Sequence, residues 1–377
     1  MRLRLIICFF AHAIILLVYN VSLWAQYSTV INVPPVPNLG NGQEITSGTQ
    51  LNLGPGGSVG TSFHAWNGSE ISISGGEIGG GFNVEQGATA NISGGTTGSI
   101  RAHSGSNVTL SGGAIGDYLR AESQSSFTIL GGDFLIDTVP VEGLVNEGDS
   151  ATIQVPFETL LSGVFADGTP FAFVVTKGFI AALEPHNTFS LVLSPLPDPG
   201  PPVIDVSTIP APKGARNDQI IIVRDGAELG KNFTAIQGSI LLIQEGGIVQ
   251  NNLEVVRSTV NLTGGTIVSD FDAIAGSNVK ISSGFAEEVI LLDSTLTVTG
   301  GTIGHDHQGL FIGGAIDAKL NSTVNVSGGT IGDGVFIGEG SVLDVSGGTI
   351  GDFVDVFIGG TANISGGLFG ERFDAFS

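Results

Sequence analysis

The chain has 377 residues, enough for two domains of ordinary size, and it combines 59 glycines with only 13 Lys plus Arg. Glycine weakens helix interiors, and the long charged side chains of solvent-facing helices are scarce, so helical architectures are excluded in favour of short strands and tight turns. A formal net charge of −22 also excludes nucleic acid as a natural partner, because such a surface repels phosphate.

Residues 1–25 have the layout of a secretory signal: Arg2 and Arg4 precede an apolar run from Leu5 to Val18, and cleavage is expected after Ala25. The run is shorter than the ~20 residues of a spanning helix, so no membrane span is expected after cleavage and the mature chain is expected to be secreted or held at a cell surface. Cys8 lies inside the signal, which leaves the mature chain with no disulfide framework. Loss of Arg2 and Arg4 leaves 11 basic against 35 acidic residues. Such a surface keeps the chain soluble and could attract divalent cations.

Internal repeats begin soon afterwards. Gly-Gly pairs start at Gly75, Gly94, Gly112 and Gly131, spaced by 19, 18 and 19 residues. A second run starts pairs at Gly246, Gly264, Gly300, Gly328, Gly347 and Gly366, with Ser283-Gly284 in the long gap. The unit reads S-T-V-N-V-S-G-G-T-I-G-D, as from Ser322 to Asp333. Two residues after its leading position stand Ile71, Ala90, Val108, Phe127, Leu241, Val260, Val279, Leu296, Val324, Leu343 and Ala362, and two later another apolar column from Ile73 to Ile364. Period two means strand. The glycine pair is expected to turn the chain, and a second alternating pair, such as Phe63 with Ala65 or Phe82 with Val84, closes each unit. So few inward positions cannot form a core alone, and stacking of units is compulsory. The fold expected is all-β: a right-handed parallel β-helix in two tandem modules, the first with a β-rich cap and the second uncapped.

The expected divisions are a signal at 1–25, a first array at 26–143, a non-repeat β-rich cap at 144–193, a Pro-rich linker and start of the second module at 194–217, and a second array at 218–377. Within the cap, Ala166-Asp167-Gly168-Thr169 between apolar runs reads as a β-hairpin. The second array stops at Ser377, one residue short of a full repeat, which is the pattern of a truncated product or fragment. That end is expected to fray or to self-associate end to end.

Candidate chemistry is sparse. His305, Asp333, Asp352 and Glu371 occupy the position after T-I-G and form a polar file that could hold calcium, with Asp117 at the matching place in the first array. A solvated turn is the plainer meaning, since full charges at the ~4.8 Å coil spacing repel by only about 0.9 kcal/mol in water. His305 and His307 could share a metal but lack a third ligand by spacing. Arg101 and Arg120 recur in adjacent units, followed by His103 and Glu122, and read as cross-strand ion pairs. Trp66, Phe63 and His64 could offer an aromatic platform for a sugar, yet Phe63 belongs to an inward column, which leaves Trp66 alone as a weak candidate beside ordinary packing. Beyond the signal, eight N-x-[ST] triplets, among them those at Asn91, Asn325 and Asn363, arise mostly from the repeat itself and also suit an asparagine face bonded along the stack.

These S-T-V-N-V-S-G-G-T-I-G-D units resemble the secreted Gly-Gly repeat proteins of bacteria, of autotransporter-passenger and adhesin type. The resemblance implies a non-catalytic structural or adhesive role at the cell surface, with cell-envelope or extracellular polymers as partners and no required cofactor. The chain departs from autotransporters in showing no C-terminal membrane barrel. The rival classes are a calcium-dependent binding module and a polysaccharide lyase or hydrolase of similar fold. Such enzymes align acids with a basic residue across neighbouring coils. None of Lys177, Lys213, Lys231, Lys280 and Lys319 is placed by the sequence in an acid-rich column.

Overall fold

A computed structural model describes residues 27–36, 38–116, 119–156, 159–175, 186–304 and 314–376. The proposed signal, Asp117, His305 and His307 lie outside them. The described chain is an all-β parallel solenoid in two sections, without helix.

Each section has a long and a short sheet. In the first long sheet the stacked strands are Thr29–Val33, Thr49–Leu53, Glu70–Ile78, Thr89–Thr97, Asn107–Ile115 and Ser126–Ile136. The first short sheet stacks Glu44–Ile45, His64–Ala65, Phe82–Val84, Ile100–Ala102 and Leu119–Ala121. The second long sheet runs from Val203–Asp205 to Thr361–Ile364, and the second short sheet from Gly214–Ala215 to Phe373–Ala375. Successive coils pair in parallel with like residues in register, as in the file Val260, Val279, Leu296 and Val324. Nearly all the inward columns expected from period two are buried, and each section has its own continuous apolar core. At about 1.5–3 kcal/mol for each fully buried Val, Leu, Ile or Phe, these files supply the cohesion that disulfides would otherwise provide.

Two expectations need correction. The Gly-Gly pair does not always end the strand: Glu70–Ile78 and Thr323–Ile331 run straight through it with a register shift at the bend, whereas Ile240–Ile243, Val342–Val345 and Thr361–Ile364 stop before it. Gly95 shows why glycine is required there, with φ +84° and space for a Cβ only 2.9 Å from the backbone of Gly75 and Gly76 in the preceding coil. The other exception is the last coil, where Ile364 and Phe373, in register with the buried Val345 and Val354, occupy core-type positions yet are exposed.

The leading serine of each unit has a role that the pattern alone did not show. Ser258, Ser277, Ser294, Ser322 and Ser341 are buried, and in each successive pair the earlier N–H donates to the later Oγ at 3.2–3.3 Å. Each hydroxyl that donates does so to a nearby carbonyl, as Ser277 does to Ile274 at 2.8 Å. A buried N–H left without a partner would cost about 1–3 kcal/mol, so this ladder satisfies the turns from Ser258 to Ser322.

Strands Ser150–Pro156, Thr159–Phe165, Pro170–Val175 and His186–Leu193 close the first solenoid. His186–Leu193 continues the parallel stack on Ser126–Ile136, and Thr159–Phe165 pairs with that same strand in antiparallel fashion. Phe165, Phe171 and Phe173 then plug the end of the core with stacked rings.

The same hairpin also docks the second solenoid. Leu160, Val164 and Ala172 pack with Ile236, Val256 and Ile274 in a separate buried cluster. Lys231 bridges to Glu77 at 2.9 Å, and Asn232 donates to the Thr97 carbonyl at 3.2 Å. Asp167 takes part from the hairpin, accepting from the Gly113 N–H at 3.2 Å and pairing with Lys213 at 2.8 Å. The Pro-rich connection is held too, because Gln219 Nε2 donates to the Pro199 and Pro201 carbonyls at 2.7 and 3.2 Å.

Candidate functional site

Outward residues alternate with the core files, so each short sheet presents ladders whose members come from different coils. On the first short sheet one file is Glu44, His64, Asn83, Arg101 and Arg120. Beside it runs a second file of Trp66, Glu85, His103 and Glu122, held in step by backbone bonds between coils. The two weak motifs of the sequence, the Trp66 platform and the Arg101–Arg120 cluster, therefore share one face.

Its side chains are tied together. Trp66 Nε1 donates to Glu44 Oε2 at 2.8 Å, and its ring lies on the His64 ring at 5.6 Å between centroids and 14° between planes. His64 Nδ1 meets Glu85 Oε1 at 2.8 Å, while His103 lies 3.6 Å from Glu85 and 3.3 Å from Glu122. Arg101 donates through Nε and Nη2 to Glu122 Oε1 at 2.9 and 2.5 Å, with Arg120 3.8 Å from the same oxygen. Burial works to raise the Glu122 carboxyl, but the Arg101 hydrogen bond, the His103 and Arg101 charges and the Ser104 N–H outweigh it and hold Glu122 below its ordinary value. Trp66 remains 42% exposed. The outcome is a face with a fixed aromatic platform and alternating acceptors and donors.

The second short sheet is different. Its outward file reads Thr234, Glu254, Asp272, Ile290, Asp317, Phe336, Asp355 and Asp374. This acidic column escaped the sequence reading because the coils around the long unit differ in length; its only signal was the acid between paired inward residues, as in Phe271-Asp272-Ala273 and Ile316-Asp317-Ala318. Burial, helped by the charges of Asp270, Glu288 and Asp317, pushes Asp272 up to about 6, with Lys319 offsetting part of the effect. Asp272 Oδ1 is buried with no hydrogen-bond partner among the described residues. Lys319 stacks on Leu292 in the neighbouring file and pairs with Asp317 at 2.5 Å from beside the acidic column.

The expected cation file adopts a different local use of its carboxylates. Asp333 Oδ1 accepts the Asp352 N–H at 2.8 Å, and Asp352 Oδ1 accepts the Glu371 N–H. Asn41 treats the Thr61 N–H in the same way at 2.9 Å, so an Asp or Asn at this turn caps the following coil. Among the described residues no group of three or more His, Cys, Asp or Glu is arranged to hold a metal ion. Asp352→Ala is accordingly expected to lose about 1 kcal/mol, and Asp352→Asn, which keeps the acceptor oxygen, less than half of that, in denaturant melts with and without calcium. A calcium-dependent rise in stability that either substitution removes would make the file a cation site instead.

The asparagine face is partly realised: Asn52 donates to Asn32 Oδ1 at 2.9 Å and Asn363 to Asp344 Oδ1 at 2.8 Å. Asn325, Asp344 and Asn363, with Ser327, Ser346 and Ser365, line a shallow groove of about 260 Å³ on the second long sheet. Compared with protein-family models, with curated proteins and with solved structures, the chain matches none of them.

Proposed function

We propose that the chain is a secreted or cell-surface repeat protein of structural and adhesive type, without catalytic activity, whose partners are cell-envelope or extracellular polymers. The observation that carries this reading is the docking of two solenoids through the Leu160–Val256 cluster. It joins two stacked cores into one support and leaves extended ladders of polar side chains facing outward, a construction suited to repeated contact along a polymer. The absence of cysteine after residue 8 suits cohesion drawn from stacking, and the strongly acidic balance suits solubility outside the cell.

The test is co-sedimentation of the full chain with insoluble cell-envelope and extracellular-matrix polymers, with released sugars measured in the same tubes. Retention without release is expected. Release of oligosaccharide would replace this reading with that of a carbohydrate-active enzyme. That second reading has one observation in its favour, the raised carboxyl of Asp272 among other acids, a state suited to donating a proton. In that case Asp272→Asn would abolish the release.

A further inference from the structure

We propose that the outer face of the first short sheet binds a neutral polysaccharide, with Trp66 as its stacking platform. The proposal names a ligand class for the adhesive reading and rests on it only for where the polymer is met.

Scarce residue types converge on this face. The chain has two tryptophans, six histidines and 13 Lys plus Arg. Trp66, His64, His103, Arg101 and Arg120 nevertheless fall on three of four successive coils of one small sheet. Ordinary packing does not require Trp66 there, because the inward positions beside it are filled by Phe63 and Ala65, both fully buried. The indole is exposed, yet its orientation is fixed by Glu44 on one side and the His64 ring on the other. A fixed flat ring loses little conformational freedom on binding, and its apolar face suits the C–H face of a pyranose ring.

The adjoining ladder suits hydroxyl groups, each of which both donates and accepts. Along the file below Trp66 come Glu85, His103 and Glu122, with the Asn83 amide alongside, so acceptors and donors alternate at the ~4.8 Å coil spacing. The charge balance selects the class. Glu44, Glu85 and Glu122 face Arg101 and Arg120, and Glu122 already engages Arg101 with two hydrogen bonds. The three carboxylates outnumber the two guanidinium groups, on a chain of charge −22, so uronate or sulfated polymers are repelled while uncharged sugars are not.

Trp24 is the other tryptophan, so the full chain carrying Trp24→Phe reports on Trp66 alone by fluorescence. Hydroxyethylcellulose, xylan and galactomannan serve as neutral probes, and polygalacturonate and alginate as acidic ones. The expected result is a fluorescence shift and retardation in native affinity gels with at least one neutral polymer. Trp66→Ala is expected to weaken retardation at least tenfold, and Glu85→Gln about threefold or more. Thr297→Ala on the second long sheet should leave it unchanged. No response to any neutral polymer, retardation indifferent to Trp66→Ala, or binding confined to the acidic polymers would each overturn the proposal. Since the probes are soluble, such a failure is distinct from failure to co-sediment with cell-envelope material.

Discussion

Asp272→Asn is expected to stabilise the protein by about 3 kcal/mol at neutral pH, because it removes a charge that the fold holds at a cost. The carboxyl, ordinarily 3.8, is pushed up to about 6 by burial and by Asp270, Glu288 and Asp317. Between pH 4 and 6 the folded state then binds more protons than the unfolded state. Stability from this group is fully present near pH 4, falls as pH rises toward 6, and is flat above that. The substitution should remove that decline, leaving the acid limb of the other carboxylates in place. Urea melts of the two proteins from pH 4 to 8 provide the check; parallel curves would mean that Asp272 is no more strained than an exposed acid.

Val256→Asp is the second large effect expected, and it acts on the junction between the solenoids. Val256 is 1% exposed and packs with Leu160, Val164, Ala172, Ile236 and Ile274. A carboxylate placed in that apolar cluster is taken out of water, and a loss of about 3 kcal/mol or more is expected at the interface. Each solenoid keeps its own core, so the damage should be local: calorimetry should show two separated transitions, and protease should cut within residues 194–217. Val256→Ala, which removes two methyl groups without adding charge, should cost about 1–2 kcal/mol and keep the transitions together. One undisturbed transition in Val256→Asp would show that the Lys231–Glu77 and Asn232–Thr97 contacts suffice to hold the sections together.

The inward half of this protein was written plainly in its residues. A column such as Ile71, Ala90, Val108 and Phe127 is recognisable because burial depends on the residue's own strand phase, and phase is local. The need for glycine at the repeated pair was equally clear, although in coils such as Glu70–Ile78 its action is to bend a continuous strand against the backbone of the coil before it. The outward half obeyed no such rule. His64 and Glu85 are 21 residues apart and Arg101 and Glu122 likewise 21, and neither distance is the repeat period.

Which outward side chains meet depends on how coils of unequal length come into register, and unit length varies from the 17 residues between Ser277 and Ser294 to the 28 that separate Gly300 from Gly328. Sequence by itself therefore determined the architecture: stacked parallel coils around apolar files, because period two, glycine spacing and the lack of helix-forming surface all agree. Only the tertiary structure decided the rest. It gathered Trp66, His64, Glu85, Arg101, His103 and Glu122 on one face, turned the Asp333 and Asp352 carboxylates onto the next backbone N–H, aligned Asp272 with Asp317, and used the capping hairpin as a dock for the second solenoid. The physical reason is range: burial is set within one strand, whereas hydrogen bonds, ion pairs and docking are set between strands that are neighbours only after the coils have stacked.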